Sequence, residues 1–194
     1  MNNSSAKITM QPRGGFAGKL AGFRRGKSGV VSIEAALIFP FMIMLLLGAI
    51  DISYYLSLKR KVTVAASAVV DLTTQETASV SKSVLNNYIE AADAILKPFS
   101  STETKVEIVD YRRSGNEVKQ EWSHSRGACG DSPPGGSANQ LNSLTAEDND
   151  IIMARVCLNF QPIVGYIAGI GAWQVTETVM QRPRNGLTLN CSNC

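Results

Sequence analysis

The chain has one histidine, His124, in 194 residues, which leaves little material for a histidine-based metal site or for general-base catalysis. It also lacks a strong charge imbalance: 19 Lys and Arg against 16 Asp and Glu give a net charge of +3. That near-balance argues against a dedicated nucleic-acid binder, whose basic residues are numerous or clustered. No G-x-S-x-G and no H-E-x-x-H occurs. Gly26-Lys27-Ser28 has the ending of a phosphate-binding loop, but the position five before Gly26 is Ala21 rather than Gly. His124 stands between Ser123 and Ser125 beside Trp122 and reads as an exposed strand-end residue rather than a base. No enzymatic activity is expected, and no catalytic residue, metal ligand set or cofactor is assigned. There is no internal repeat.

Residues 1–29 lack acids altogether and hold six basic residues: Lys7, Arg13, Lys19, Arg24, Arg25 and Lys27. Directly after them, 30–50 reads VVSIEAALIFPFMIMLLLGAI, 21 residues with the single charge Glu34. About 20 helical residues cross the hydrocarbon core of a bilayer. A buried core helix is the competing reading, and the length of the run and its basic flank favour the membrane. A secretory signal peptide would have a shorter apolar region and a nearby A-x-A site. The nearest such site, Ala66-Ser67-Ala68, lies far beyond the run. The positive-inside rule keeps residues 1–29 cytoplasmic and exports the rest, with Lys59-Arg60-Lys61 as a weaker opposing cluster. Tyr54 and Tyr55 stand where an interfacial aromatic belt is expected, and Pro40 lies inside the span.

Glu34 is the informative residue, because a carboxylate in a membrane helix is costly and usually functional. Either it stays in water at the interface, or its neighbours explain it. Gly29 directly precedes the apolar run, and Glu34 is the fifth residue after that Gly. This resembles the prepilin processing pattern, in which a peptidase cuts between Gly29 and Val30 and leaves the Glu at position five. The stretch SGVVSIEAALIFPFMIMLLLGAIDISYYLSLKRKVTVAASAVVDL, about residues 28–72, resembles the N-terminal segment of TadE-like pseudopilins of the tight-adherence (Tad/Flp) pilus machinery. Gly29, Glu34, Pro40, Gly48 and Asp51 carry that resemblance; where the family often has Phe or Tyr after the Glu, this chain has Ala35. NFQPIVGYI and QRPRNG look like the extracytoplasmic part of the same family.

Cleavage would remove all six leader charges and create an ammonium group at Val30, one helical turn from Glu34. Glu34 could then pair with the amine of its own chain or of a neighbour, which relieves the carboxylate and sets helix register. The resemblance implies a non-enzymatic pseudopilin or minor pilin with a prepilin peptidase, other pilins or pseudopilins, the Tad assembly platform and the lipid bilayer as partners, and no nucleic acid. It implies a bacterial inner-membrane location with a cytoplasmic N-terminus. The C-terminal domain would be periplasmic, or extracellular within a pilus. The alternative is a permanently anchored extracytoplasmic binding or sensing module that is never processed.

Past the span, Leu58, Ala65 and Leu72 recur at seven, as do Val62 and Val69, so the helix continues to a loosening point at residues 73–77. A second helix is expected over 81–96, stopped by Pro98. Residues 104–111 and 117–123 alternate at period two around a turn at 113–116 and predict a hairpin. Residues 127–150 form a long polar loop whose acids, Glu147, Asp148 and Asp150, read as solvated charge. Further strands are expected at 151–160 and 173–180, with an ambiguous apolar segment at 163–170 and a surface basic patch at Arg182-Pro183-Arg184. The class is α+β: a basic leader (1–29), a transmembrane helix (30–50), an extracytoplasmic helical segment (51–97) and a small antiparallel sheet domain (98–194). Cys129, Cys157, Cys191 and Cys194 all follow the span, where an oxidising location makes disulfides the default; three pairings are open.

Overall fold

The computed structural model describes residues 28–99, 104–115, 117–130, 149–169, 171–186 and 188–194. Most of the basic leader and loop residues 131–148, with Glu147 and Asp148, lie outside the described residues. The chain divides into two compact units, split between Leu46 and Leu47.

Helix α1, Ser28–Gln75, is one uninterrupted helix with Pro40 inside it. It ends within the Thr-rich segment expected to loosen. Its last carbonyls are satisfied from far along the chain. The Arg184 amide donates to Thr74 O at 2.9 Å, and Asn185 Nδ2 donates to Gln75 O at 2.7 Å. Arg184 also pairs with Asp71. Helix ends leave carbonyls without intrahelical partners, so these contacts answer a need the helix itself creates.

A short strand β1, Ser79–Ser81, leads into helix α2, Lys82–Leu96. The hairpin follows as β2, Lys105–Ser114, and β3, Glu117–Arg126. Then come β4, Asp150–Phe160, the short helix α3, Ile163–Ala168, and β5, Trp173–Gln181. The last element is β6, Asn190–Ser192. The four long strands form one antiparallel sheet in the order β3-β2-β4-β5. β1 and β6 make a separate parallel pair. A register shift between Asp110 and Tyr111 marks a bulge in the β2-β3 ladder.

One face of the sheet is covered by helices. Leu58, Val62, Ala65, Ala66 and Val69 of α1, and Leu85, Ile89, Ala92 and Leu96 of α2, share a buried cluster with Val106, Ile108, Ile152, Ala154, Val156 and Leu158. The seven-residue recurrence after residue 51 is therefore a packing stripe on the sheet. The helical segment 51–97 and the strands have one core between them. Val109, Tyr111 and Met153 form a smaller cluster on the opposite face. β4 is central and buried on both faces, which is why it reads as a nearly unbroken apolar run.

Candidate functional site

The feature that sets this chain apart is the first half of α1. Val31, Ile33, Leu37, Phe39, Phe41, Met44, Leu46 and Ile50 are all exposed. One 18-residue window of this helix is apolar enough to cross a membrane, and none of it is buried against protein. A core helix would bury that surface; here only a bilayer or other helices could cover it. Glu34 lies exposed on this helix, and Gly29 and Val30 fall in its first turn.

The end of the apolar run is tied to the sheet domain by Asp51. Its Oδ1 accepts the Ile163 amide at 2.9 Å, and its Oδ2 accepts the Val164 amide at 2.8 Å. Both amides open α3, so the carboxylate caps that helix from another element. Asp51 is buried in consequence. Tyr54 and Tyr55, expected at an interface, belong to a ring cluster. The Tyr54 ring lies 4.7 Å from Phe99, that of Tyr55 5.5 Å from Phe160, and that of Phe160 5.3 Å from Trp173. NFQPIVGYI and QRPRNG, picked out by their family look, are the segments that bond to Asp51 and Asp71 of α1.

The four cysteines pair as Cys129–Cys157 and Cys191–Cys194. The first bridge ties the segment after β3 to the middle of β4, with both residues buried. The second closes a small ring at the end of the chain.

Two placements, those of Asp150 and His124, correct the sequence reading. Asp150 is not a solvated loop charge: it opens β4 with no exposure. Arg112 grips it with two bonds, Nε to Oδ1 at 2.6 Å and Nη2 to Oδ2 at 3.0 Å, and the Leu189 amide adds a third at 2.6 Å. Arg184 is exposed, as a surface basic patch requires, and it also pairs with Asp71. His124 lies on β3, half-buried, with Nε2 2.8 Å from Asn86 Oδ1; burial, and then Lys82, lower its pKa. This ties His124 to α2. Sequence reasoning also missed β1 and β6, whose three-residue lengths carry too few alternations to register.

Asp110 is fully buried beside this cluster, and burial first, then the Asp150 carboxylate, push its pKa up to about 8, against a lowering influence of Arg112 and a smaller raising one of Glu121. The folded protein thus holds a proton that the unfolded chain releases near the ordinary aspartate value of 3.8. That contribution is fully present below the unfolded value and is lost as pH rises through the folded one. Asp110→Asn removes the titration and should raise the urea midpoint relative to wild type at pH 8.5, with the gain shrinking toward pH 5. An equal difference at both pH values would refute the protonated assignment.

Among the described residues, one long exposed apolar helix precedes an α+β body in the chain, an arrangement that fits a membrane-anchored protein. Residues 29–71 match the family model of the TadE-like protein, and the segment is TadE-like. No curated protein and no solved structure matches the chain. Among the described residues, no group of three or more His, Cys, Asp or Glu is placed to hold a metal ion.

Proposed function

We propose that this protein is a TadE-like pseudopilin or minor pilin that takes part in assembling a Tad-type pilus. The observation that carries the reading is the wholly exposed apolar half of α1, which begins at a Gly29-to-Glu34 spacing inside the family match. Helices of this kind associate laterally, in the membrane or at a pilus base, through packing and a few polar contacts. Residues 1–29 stay in the cytoplasm, and the α+β body is exported, where both disulfides form. Partners are a prepilin peptidase, other pilins and the assembly platform.

Cleavage between Gly29 and Val30 requires the first turn of α1 to unwind into the peptidase cleft. Glycine makes that turn cheap to open, since it costs a helix about 1 kcal/mol relative to Ala. The new amine and Glu34 then form the pair that sets helix register.

Intact mass and N-terminal sequencing of protein extracted from native membranes should show a start at Val30. A start at Met1 would favour a permanently anchored binding or sensing module. Glu34→Leu should insert normally, since it only increases apolarity, yet lose incorporation into pili. Normal piliation by that variant would remove Glu34 from the mechanism.

A further inference from the structure

We infer that α3, together with Trp173 beyond it, forms a second membrane contact, a patch that lies in the headgroup boundary of the bilayer. The inference rests on the anchor reading of residues 30–50.

Four apolar side chains are exposed here: Ile163 is 48 % exposed, Tyr166 81 %, Ile167 65 % and Trp173 44 %. No charged residue occurs between Arg155 and Glu177, so nothing in the segment resists partial immersion. The depth of the patch follows from one contact. The apolar run of 21 residues ends at Ile50. At 1.5 Å per residue it spans about 31 Å, the thickness of the hydrocarbon core. Asp51 therefore lies at the hydrocarbon boundary, and its carboxylate holds the first two amides of α3 at 2.9 and 2.8 Å. α3 is carried to the same depth.

Ile50 and Ile52 are exposed on either side of Asp51, so apolar surface accompanies the carboxylate at this depth. Trp173 and Tyr55 join it through ring centroids 6.3 Å apart. Trp and Tyr are the residues that favour this depth, with an apolar ring and a polar edge. Burial of the Asp51 carboxylate also fits a boundary position, because its two backbone donors replace the water it gives up. The occupant is lipid, and the patch is carried by the segment that connects β4 to β5.

The test uses the full chain in phosphatidylethanolamine–phosphatidylglycerol vesicles whose acyl chains carry bromine near the glycerol end. The chain has two tryptophans, and Trp122 is buried in the core. Shallow bromines should quench wild-type emission by about a third to a half, as expected for an interfacial ring. Trp173→Phe, which leaves only Trp122, should show almost no quenching. Ile167→Asp should cut the quenching by about twofold or more, because a carboxylate opposes insertion of the patch, while the urea midpoint stays unchanged. Unchanged quenching in that folded variant would overturn the role of α3. Vesicle flotation reports the anchor separately. Floating protein whose Trp173 escapes bromine but meets acrylamide would show the patch in water and overturn the proposal. Floating protein shielded from both would place a protein, such as a second copy, over the patch, and would overturn it too. Failure to float would defeat the anchor reading itself.

Discussion

Asp150→Ala is expected to destabilise the α+β body by about 3 kcal/mol, the lower end for breaking a buried ion pair. Asp150 has no exposure and receives three donors, two from Arg112 and one from the Leu189 amide. Removal strands a buried backbone N–H and a guanidinium whose side chain is only 23 % exposed. Two features keep the cost from the upper end. Glu121 lies 3.7 Å from Arg112 and offers a substitute partner. Asp110, whose proton is held partly by the Asp150 charge, can then ionise at lower pH beside Arg112. At a urea m-value of about 1.5–2 kcal/mol/M, the midpoint should fall by roughly 1.5–2 M. Arg112→Ala combined with Asp150→Ala should cost less than the sum of the single changes. A loss below about 1 kcal/mol for Asp150→Ala would mean the pair behaves like a surface ion pair.

Loss of the Cys129–Cys157 bridge should have an effect of similar size. Its residues are 28 apart in sequence, and the chain-entropy relation gives about 3.5 kcal/mol for a loop of that length. Cys157 is fully buried in β4, so Cys→Ala at both positions also leaves small voids. The Cys191–Cys194 bridge has a separation of only 3 and lies at a largely exposed chain end. The same relation gives roughly 2 kcal/mol at most for it, and a short ring constrains little of the unfolded chain. Urea midpoints of the two double-alanine variants should therefore rank clearly, with Cys129→Ala/Cys157→Ala the weaker protein. Equal midpoints would contradict a loop-length origin. Loss of the terminal bridge should instead be felt locally, as faster amide exchange in β6, which holds Cys191 against Val80 of β1.

These two sites were the least legible in the sequence. Asp150 stands among Gly, Pro, Ser and acidic residues, a composition that reads as loop. Its role depends on Arg112, 38 residues away, and on Leu189, 39 residues away. The cysteine pairing likewise depends on where β4 sits relative to the segment after β3. Asp51 could be noticed as an acid at the end of the apolar run, but its capping of α3 spans 112 residues. Each of these rests on a contact between distant positions, and a single sequence carries no signal of which distant positions meet.

What a single sequence does carry is period and composition. The apolar run 30–50, the heptad-like recurrence through Val69, the period-two alternation of the hairpin and the Pro98 stop are local patterns, and each has its element. The α+β class follows from them, while the resemblance to TadE-like proteins rests on particular residues, Gly29, Glu34, Pro40, Gly48 and Asp51, within the matched segment 29–71. Periodicity says that one face of α1 beyond Asp51 is buried, but not against what. Only the tertiary structure decided that this face covers the sheet, that Arg184 and Asn185 close the end of α1, and that Asp51 caps α3. The physical reason is the same throughout: local backbone preference selects an element, while burial and hydrogen-bond satisfaction between distant elements select its partners.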